Sequence, residues 1–157
     1  MKKHLLFVVL AVMTYVAIGC QSFVVNTIPA QMPTPTLAVE TKPIGDEERE
    51  EAYEFFYELK NLMAFGEYEH FAEEIRYPIA INMDGQLKSF VYVAELEANF
   101  EKIFSEAEIQ TFIAMDESEL IFTSEGVKLP DDKIWFDLIC MDSNCEEAEF
   151  LITKINN

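Results

Sequence analysis

Leu5 to Ile18 is an apolar run that opens behind Lys2 and Lys3 and closes on Ala17-Ile18-Gly19, just before Cys20. A basic start, a short apolar stretch and compact residues at its end make a secretory signal with a cleavage site. A permanent span of the ~30 Å hydrocarbon core needs about 20 apolar residues, more than this run supplies. The segment is therefore an export address. It places the rest of the chain outside the cytoplasm and leaves the fold to the residues beyond Cys20.

The first of those residues are unsuited to packing. Gln21 to Gly45 holds Pro29, Pro33, Pro35 and Pro43, four of the six prolines. Proline fixes φ and removes an amide donor, so this stretch favours extended, solvated backbone at about 3.1 Å per residue. The organisation is a signal at 1–19, a tether at 20–45 and one domain at 46–157, a length within the single-domain range.

The chain is 50% hydrophobic and 13% aromatic, enough to bury a core. Its formal charge is -18; loss of Lys2 and Lys3 with the signal leaves 9 basic against 29 acidic residues, near -20. Nucleic-acid binding rests on Lys and Arg neutralising phosphates, so nucleic acid is excluded as a partner. Acidity serves solubility outside the cell; it also attracts a cationic partner.

From Asp46 the pattern turns helical: Ala52, Phe55, Phe56, Leu59, Leu62 and Met63 share a face, Asp46 is the expected N-cap and Gly66 the stop. Tyr68, Phe71, Ala72 and Ile75 predict a shorter helix ended by Pro78. Ile79, Ile81 and Met83 then alternate with Ala80 and Asn82, and Asp84-Gly85 marks a hairpin before the run Leu87 to Val93. Val93, Leu96, Phe100, Ile103 and Phe104 return to helical spacing. Ser105 and Glu108 form a capping box for a helix carrying Ile109, Phe112 and Ile113. The last third predicts strands: Leu120 to Phe122, then Lys133 to Met141 after the turn Pro130-Asp131-Asp132, then Phe150 to Ile155. In the longest, Ile134, Phe136, Leu138 and Cys140 share one face, and Trp135, Asp137, Ile139 and Met141 the other.

Helices, a hairpin, more helix and a run of antiparallel strands predict an α+β layer fold. Arg76-Tyr77-Pro78-Ile79, Asp84-Gly85, Asn99-Phe100 to Ile103-Phe104, Gly126-Val127 and Ile134-Trp135-Phe136 resemble small exported proteins of the nuclear-transport-factor-2-like, cystatin-like superfamily. The resemblance covers Asp46 to Asn157. It implies a strongly curved antiparallel sheet wrapped on the N-terminal and central helices, a cone with a pocket at its open end. Relatives often have a glycine turn where this chain has Pro130-Asp131-Asp132. The signal in turn resembles a bacterial lipoprotein signal, with Ala17-Ile18-Gly19-Cys20 as the lipobox, although Ala17 stands where Leu is commoner. That implies lipid on Cys20 and a domain held to a cell membrane or outer membrane, facing the periplasm or the cell exterior.

With Cys20 lipidated, Cys140 and Cys145 remain as a pair in an oxidising compartment, and a disulfide is expected. As a zinc half-site their spacing lacks a second cysteine pair, and the mature chain has one histidine, so no metal is expected. Asp142 to Glu146 has oxygen ligands at alternating positions, but it lacks the glycine and later glutamate of a calcium loop, and hairpin chemistry explains it.

Some enzymes on the resembled fold place Asp with His or Tyr in the cone to move protons, but function lives in the site. His70 is flanked by Glu67, Glu69, Glu73 and Glu74, which favour the imidazolium over a base poised near neutrality and point to a solvated helix face. Asp137 has two readings. In an apolar pocket it is an acid or base with a raised pKa; on the outer sheet face it sits in water, with Trp135, Ile139 and Met141 packing on a neighbouring subunit. The uniformly apolar opposite face favours the second. The sequence has no Gly-x-Ser-x-Gly elbow, phosphate loop, dinucleotide fingerprint or His-Glu-x-x-His, so no cofactor is expected. The expected function is binding, of a small apolar ligand, an envelope protein or a second copy of the chain. The alternatives are a proton-transfer isomerase or dehydratase, and an inhibitor of a cationic envelope enzyme.

Overall fold

The computed structural model describes residues 40–157; the signal at 1–19, Cys20 and the tether as far as residue 39 lie outside the described residues. The described chain is α+β, as the order of its sequence patterns predicts, with a two-stranded and a four-stranded antiparallel sheet, neither closed.

Helix α1 (Asp46–Phe65) buries Ala52, Phe55, Phe56, Leu59 and Met63. The expected N-cap is displaced by one residue. Gly45 occupies that position, where its amide donates to Glu48 Oε2 at 3.0 Å, and Asp46 is the first helical residue. Gly66 stops the helix at φ 72°, a conformation that costs a residue without Cβ little. The Glu67 amide then returns to Leu62 O at 2.9 Å.

Helix α2 (Tyr68–Glu73) ends sooner than Pro78 requires. Ile75 has already left it to bridge Ile152 in parallel. The Arg76 amide reaches Ile152 O at 2.9 Å and the Ile152 amide reaches Glu74 O at 2.8 Å, so tertiary strand pairing overrides the helical spacing of Ile75. The hairpin β1 (Ile79–Met83) and β2 (Gln86–Phe90) comes next, turning at Asp84 (φ 54°) and Gly85 (φ 79°). Both turn residues have the positive φ that a two-residue hairpin demands.

The stripe from Val93 to Phe104 forms two short helices, α3 (Val93–Glu97) and α4 (Phe100–Ile103). At the break, Asn99 Nδ2 donates to Glu95 O at 2.8 Å, a side chain competing for backbone groups that a continuous helix would use. Ser105 caps α5 (Glu106–Ala114) as predicted: its amide donates to Glu108 Oε2 at 2.8 Å and its Oγ accepts from the Glu108 amide at 3.4 Å.

After a 3₁₀ turn, β3 (Ile121–Thr123), β4 (Gly126–Lys128), β5 (Ile134–Cys140) and β6 (Ala148–Ile155) form a meander in that order. Trp135 pairs with Lys154 and Phe136 with Ile152, so Thr153 is an extra residue that bulges β6. Cys140 and Cys145 are disulfide-bonded within the β5–β6 loop, their Cα atoms 4.7 Å apart. In that loop Asp142 Oδ1 accepts the amides of Glu146 at 2.8 Å and Glu147 at 3.3 Å.

One part of the predicted tether belongs to the sheet. The Lys42 amide donates to Leu138 O at 3.0 Å and the Cys140 amide to Glu40 O at 3.3 Å, which adds Glu40–Lys42 to the half of β5 that short β4 leaves unpaired.

The core lies between α1 and the sheet. The Phe55 ring is 5.3 Å from Phe136 on β5 and 5.9 Å from Phe150 on β6. Phe56 meets Phe112 of α5 edge to face at 5.4 Å, and Phe71 packs edge-on against Phe100 and Phe104. Phe136 is fully buried, so Phe136→Ala is expected to cost about 3–5 kcal/mol in urea unfolding. Phe65→Ala, at a side chain 78% exposed, is expected to change stability by no more than about 0.5 kcal/mol.

Candidate functional site

The sheet has two faces with different environments. Phe136 and Leu138 point from β5 into the aromatic core, and the alternation of a strand sends Asp137 to the side away from α1. There it is not in water, which corrects the expectation for this face: Asp137 is only 9% exposed.

Two segments enclose it, the turn into β4 and the chain from Glu40 to Ile44. On the same edge of β5, β4 pairs with Trp135 and Phe136, while Glu40–Lys42 bonds Leu138 and Cys140. Asp137 stands at the step between these two partners. Gly126, at φ 111°, lies against it, and a Cβ there would meet Phe136 O at 2.7 Å and Asp137 Cγ at 3.1 Å. Thr41, Lys42, Pro43 and Ile44 on one side and Thr123 and Ser124 on the other bound a niche of about 330 Å³, with Asp137 in its wall.

Among the described residues one donor reaches the Asp137 carboxylate, the Leu138 amide at 2.9 Å from Oδ1. Burial pushes the Asp137 carboxyl above its ordinary range, and that amide bond opposes the shift only in part. Lys42, itself part of the niche lining, is paired with Glu48 at 3.0 Å.

His70 lies elsewhere, on the solvent face of α2. Its Nδ1 is 3.0 Å from Glu73 Oε2, and this hydrogen bond, reinforced by the charges of Glu73, Glu67 and Glu69, raises its pKa. It lines a cleft of about 530 Å³ with Glu67, Glu69, Asn99, Glu101 and Lys102, over the stacked rings of Tyr68 and Phe100 at 4.1 Å. His70 and Asp137 line separate cavities and do not form one constellation.

Trp135, Ile139 and Met141 do not make a continuous exposed stripe. Trp135 is half-buried, in a cross-strand row with Lys128 and Lys154, whose ammonium groups lie 5.0 and 4.9 Å from its ring. Ile139 is buried and only Met141 is freely exposed.

Two features have no counterpart in the sequence patterns. Glu51, Glu54, Glu58, Glu74 and Glu149 gather around Phe55 and Phe150 in a shallow cleft of about 320 Å³. Burial, then the charges of Glu58, Glu149 and Glu73, push the Glu74 carboxyl up. The spacing of Glu51, Glu54 and Glu58 marks one helix face, but nothing local joins it to Glu149. The other is the β2 surface: Gln86, Leu87, Lys88 and Ser89 are all exposed, Leu87 by 76%, and exposed Val91 and Tyr92 come directly after the strand.

No family model, curated protein or solved structure matches this chain.

A carboxyl whose folded pKa is raised binds its proton more tightly folded than unfolded, where it titrates at about 3.9. Stability therefore falls as pH rises through that value towards the folded pKa, and stays lower above it. Asp137→Asn removes this penalty while its amide oxygen still accepts from Leu138. The variant is expected to melt above wild type at neutral pH, with the gain vanishing below about pH 3.9. Calorimetry across pH checks it; a neutral-pH loss of stability contradicts it.

Proposed function

We propose that this chain is an exported lipoprotein, anchored through lipid on Cys20, whose nuclear-transport-factor-2-like domain binds a protein of the cell envelope and does not catalyse a reaction. The observation that carries the binding mode is the free edge of β2. Among the described residues β2 has a strand neighbour on one side only, and it continues into exposed Val91 and Tyr92. An unpaired strand edge is a template for an added strand, with backbone hydrogen bonds giving affinity and alternate side chains giving selection. Leu87, 76% exposed, and Tyr92, 68% exposed, supply apolar anchors beside that edge.

The aromatic interior also favours a surface role over a small apolar ligand in a cone. Phe55, Phe136 and Phe150 occupy the space between helix and sheet, at mutual distances of 5.3 to 5.9 Å. The compact lipobox Ala17-Ile18-Gly19-Cys20 supports the anchor, and stable attachment requires more than one acyl chain.

Both parts are testable in cells that export the protein. Radiolabelled palmitate is expected on wild type and absent from Cys20→Ser; equal labelling of the two removes the anchor. A photo-crosslinking residue at position 87 is expected to give one discrete adduct that a residue at position 125 does not. Diffuse adducts at both positions contradict docking on the β2 edge.

A further inference from the structure

Asp137 is 9% exposed and has no ion-pair partner among the described residues. One amide, that of Leu138, reaches its Oδ1, and Lys42, which lines the same niche, is held by Glu48. Burying a charge is costly unless it is paired, so a group in this environment either keeps its proton or acquires a positive partner. The niche beside it can receive one. Its volume is about 330 Å³, and Thr41, Lys42, Pro43 and Ile44 line it on one side and Thr123, Ser124 and Gly126 on the other. Thr123 Oγ1 donates to Gly126 O at 2.9 Å and accepts from the Glu125 amide at 3.1 Å, which fixes that hydroxyl at the mouth of the turn. Gly126 has no side chain where a Cβ would collide with Phe136 O and crowd the Asp137 carboxylate.

From this geometry we infer that the niche at Asp137 binds a small primary ammonium ion, with the carboxylate as counter-ion and the neighbouring oxygens as further acceptors. An ammonium group presents three donors and no acceptor, and one carboxylate with neutral oxygens around it satisfies that set. Calcium requires six to eight oxygens and several carboxylates, more than this niche presents. The net charge of -18 enriches cations at the surface and disfavours an anionic ligand. The site is independent of the β2 edge and of lipidation: a failed crosslink at Leu87 leaves it standing.

The test is amide NMR on the full chain in detergent micelles, titrated with n-propylammonium chloride and, separately, with 1-propanol as its uncharged counterpart. Propylammonium is expected to give saturable shifts confined to Thr41–Ile44 and Thr123–Gly126, and 1-propanol none. Asp137→Asn is expected to weaken binding by about tenfold or more, the scale of a lost charge-assisted hydrogen bond, while Lys88→Met, on the β2 surface outside the niche, leaves it in place. If Asp137→Asn does not fold, Ser124→Val narrows the niche from an exposed turn and is expected to abolish the same shifts. Equal shifts with 1-propanol overturn the proposal. So do shifts spread over the acidic surface and lost with added salt, or binding unchanged in the variants that fold.

Discussion

Three phenylalanine rings set the geometry on which the rest depends. Phe55 of α1 lies within 6 Å of Phe136 and Phe150, which are within 6 Å of each other across β5 and β6. Aromatic rings at these separations add about 0.5–1.5 kcal/mol per pair beyond the area they bury. The triangle fixes the roll of α1 over the sheet, and with it which residues face outward: Glu51, Glu54 and Glu58 rise beside Glu149 because Phe55 is held down between them. It also commits β5 to one orientation. Once Phe136 faces the helix, Asp137 must face away from it.

Cations are scarce in this chain, and three of them brace its architecture. Lys42 holds Glu48 at the start of α1, Lys128 holds Asp132, and Lys133 Nζ joins Glu108 at 2.7 Å to Asn157 at 2.9 Å. Hydrogen bonds from Lys133 and Ser105 draw the Glu108 carboxyl down to about 2. That pair ties the first turn of α5 to the last residue of the chain. None of these pairs reaches Asp137, and among the described residues its carboxylate has no ion-pair partner.

Local patterns carry the elements. The Asp84-Gly85 turn, the Ser105–Glu108 box, the Gly66 stop and the alternation in Ile134–Cys140 are each decided by a few adjacent residues, and the sequence states them directly. What it does not state is decided by residues far apart. Ile75 has helical spacing but pairs with Ile152, in the last strand of the sheet. Asn99 sits in a helical stripe and breaks it with a side-chain hydrogen bond. For Asp137 the sequence leaves two environments open and favours water, whereas the side chain is buried. Alternation tells which side a side chain takes, but it cannot tell that Glu40–Lys42 and the Thr123–Gly126 turn close over that side. The niche is a product of two segments that carry no shared signal, one of them at the end of a proline-rich stretch that reads as spacer.

Glu40–Lys42 gives that stretch a mechanical role. Any tension on the chain from the N-terminal side reaches the backbone bonds to Leu138 and Cys140 before it reaches α1. Those bonds lie next to the disulfide-closed loop, a covalently braced end of the sheet. A pull on the chain ahead of Glu40 is therefore transmitted first into β5 and shared across the sheet, before it reaches the helix that carries the core.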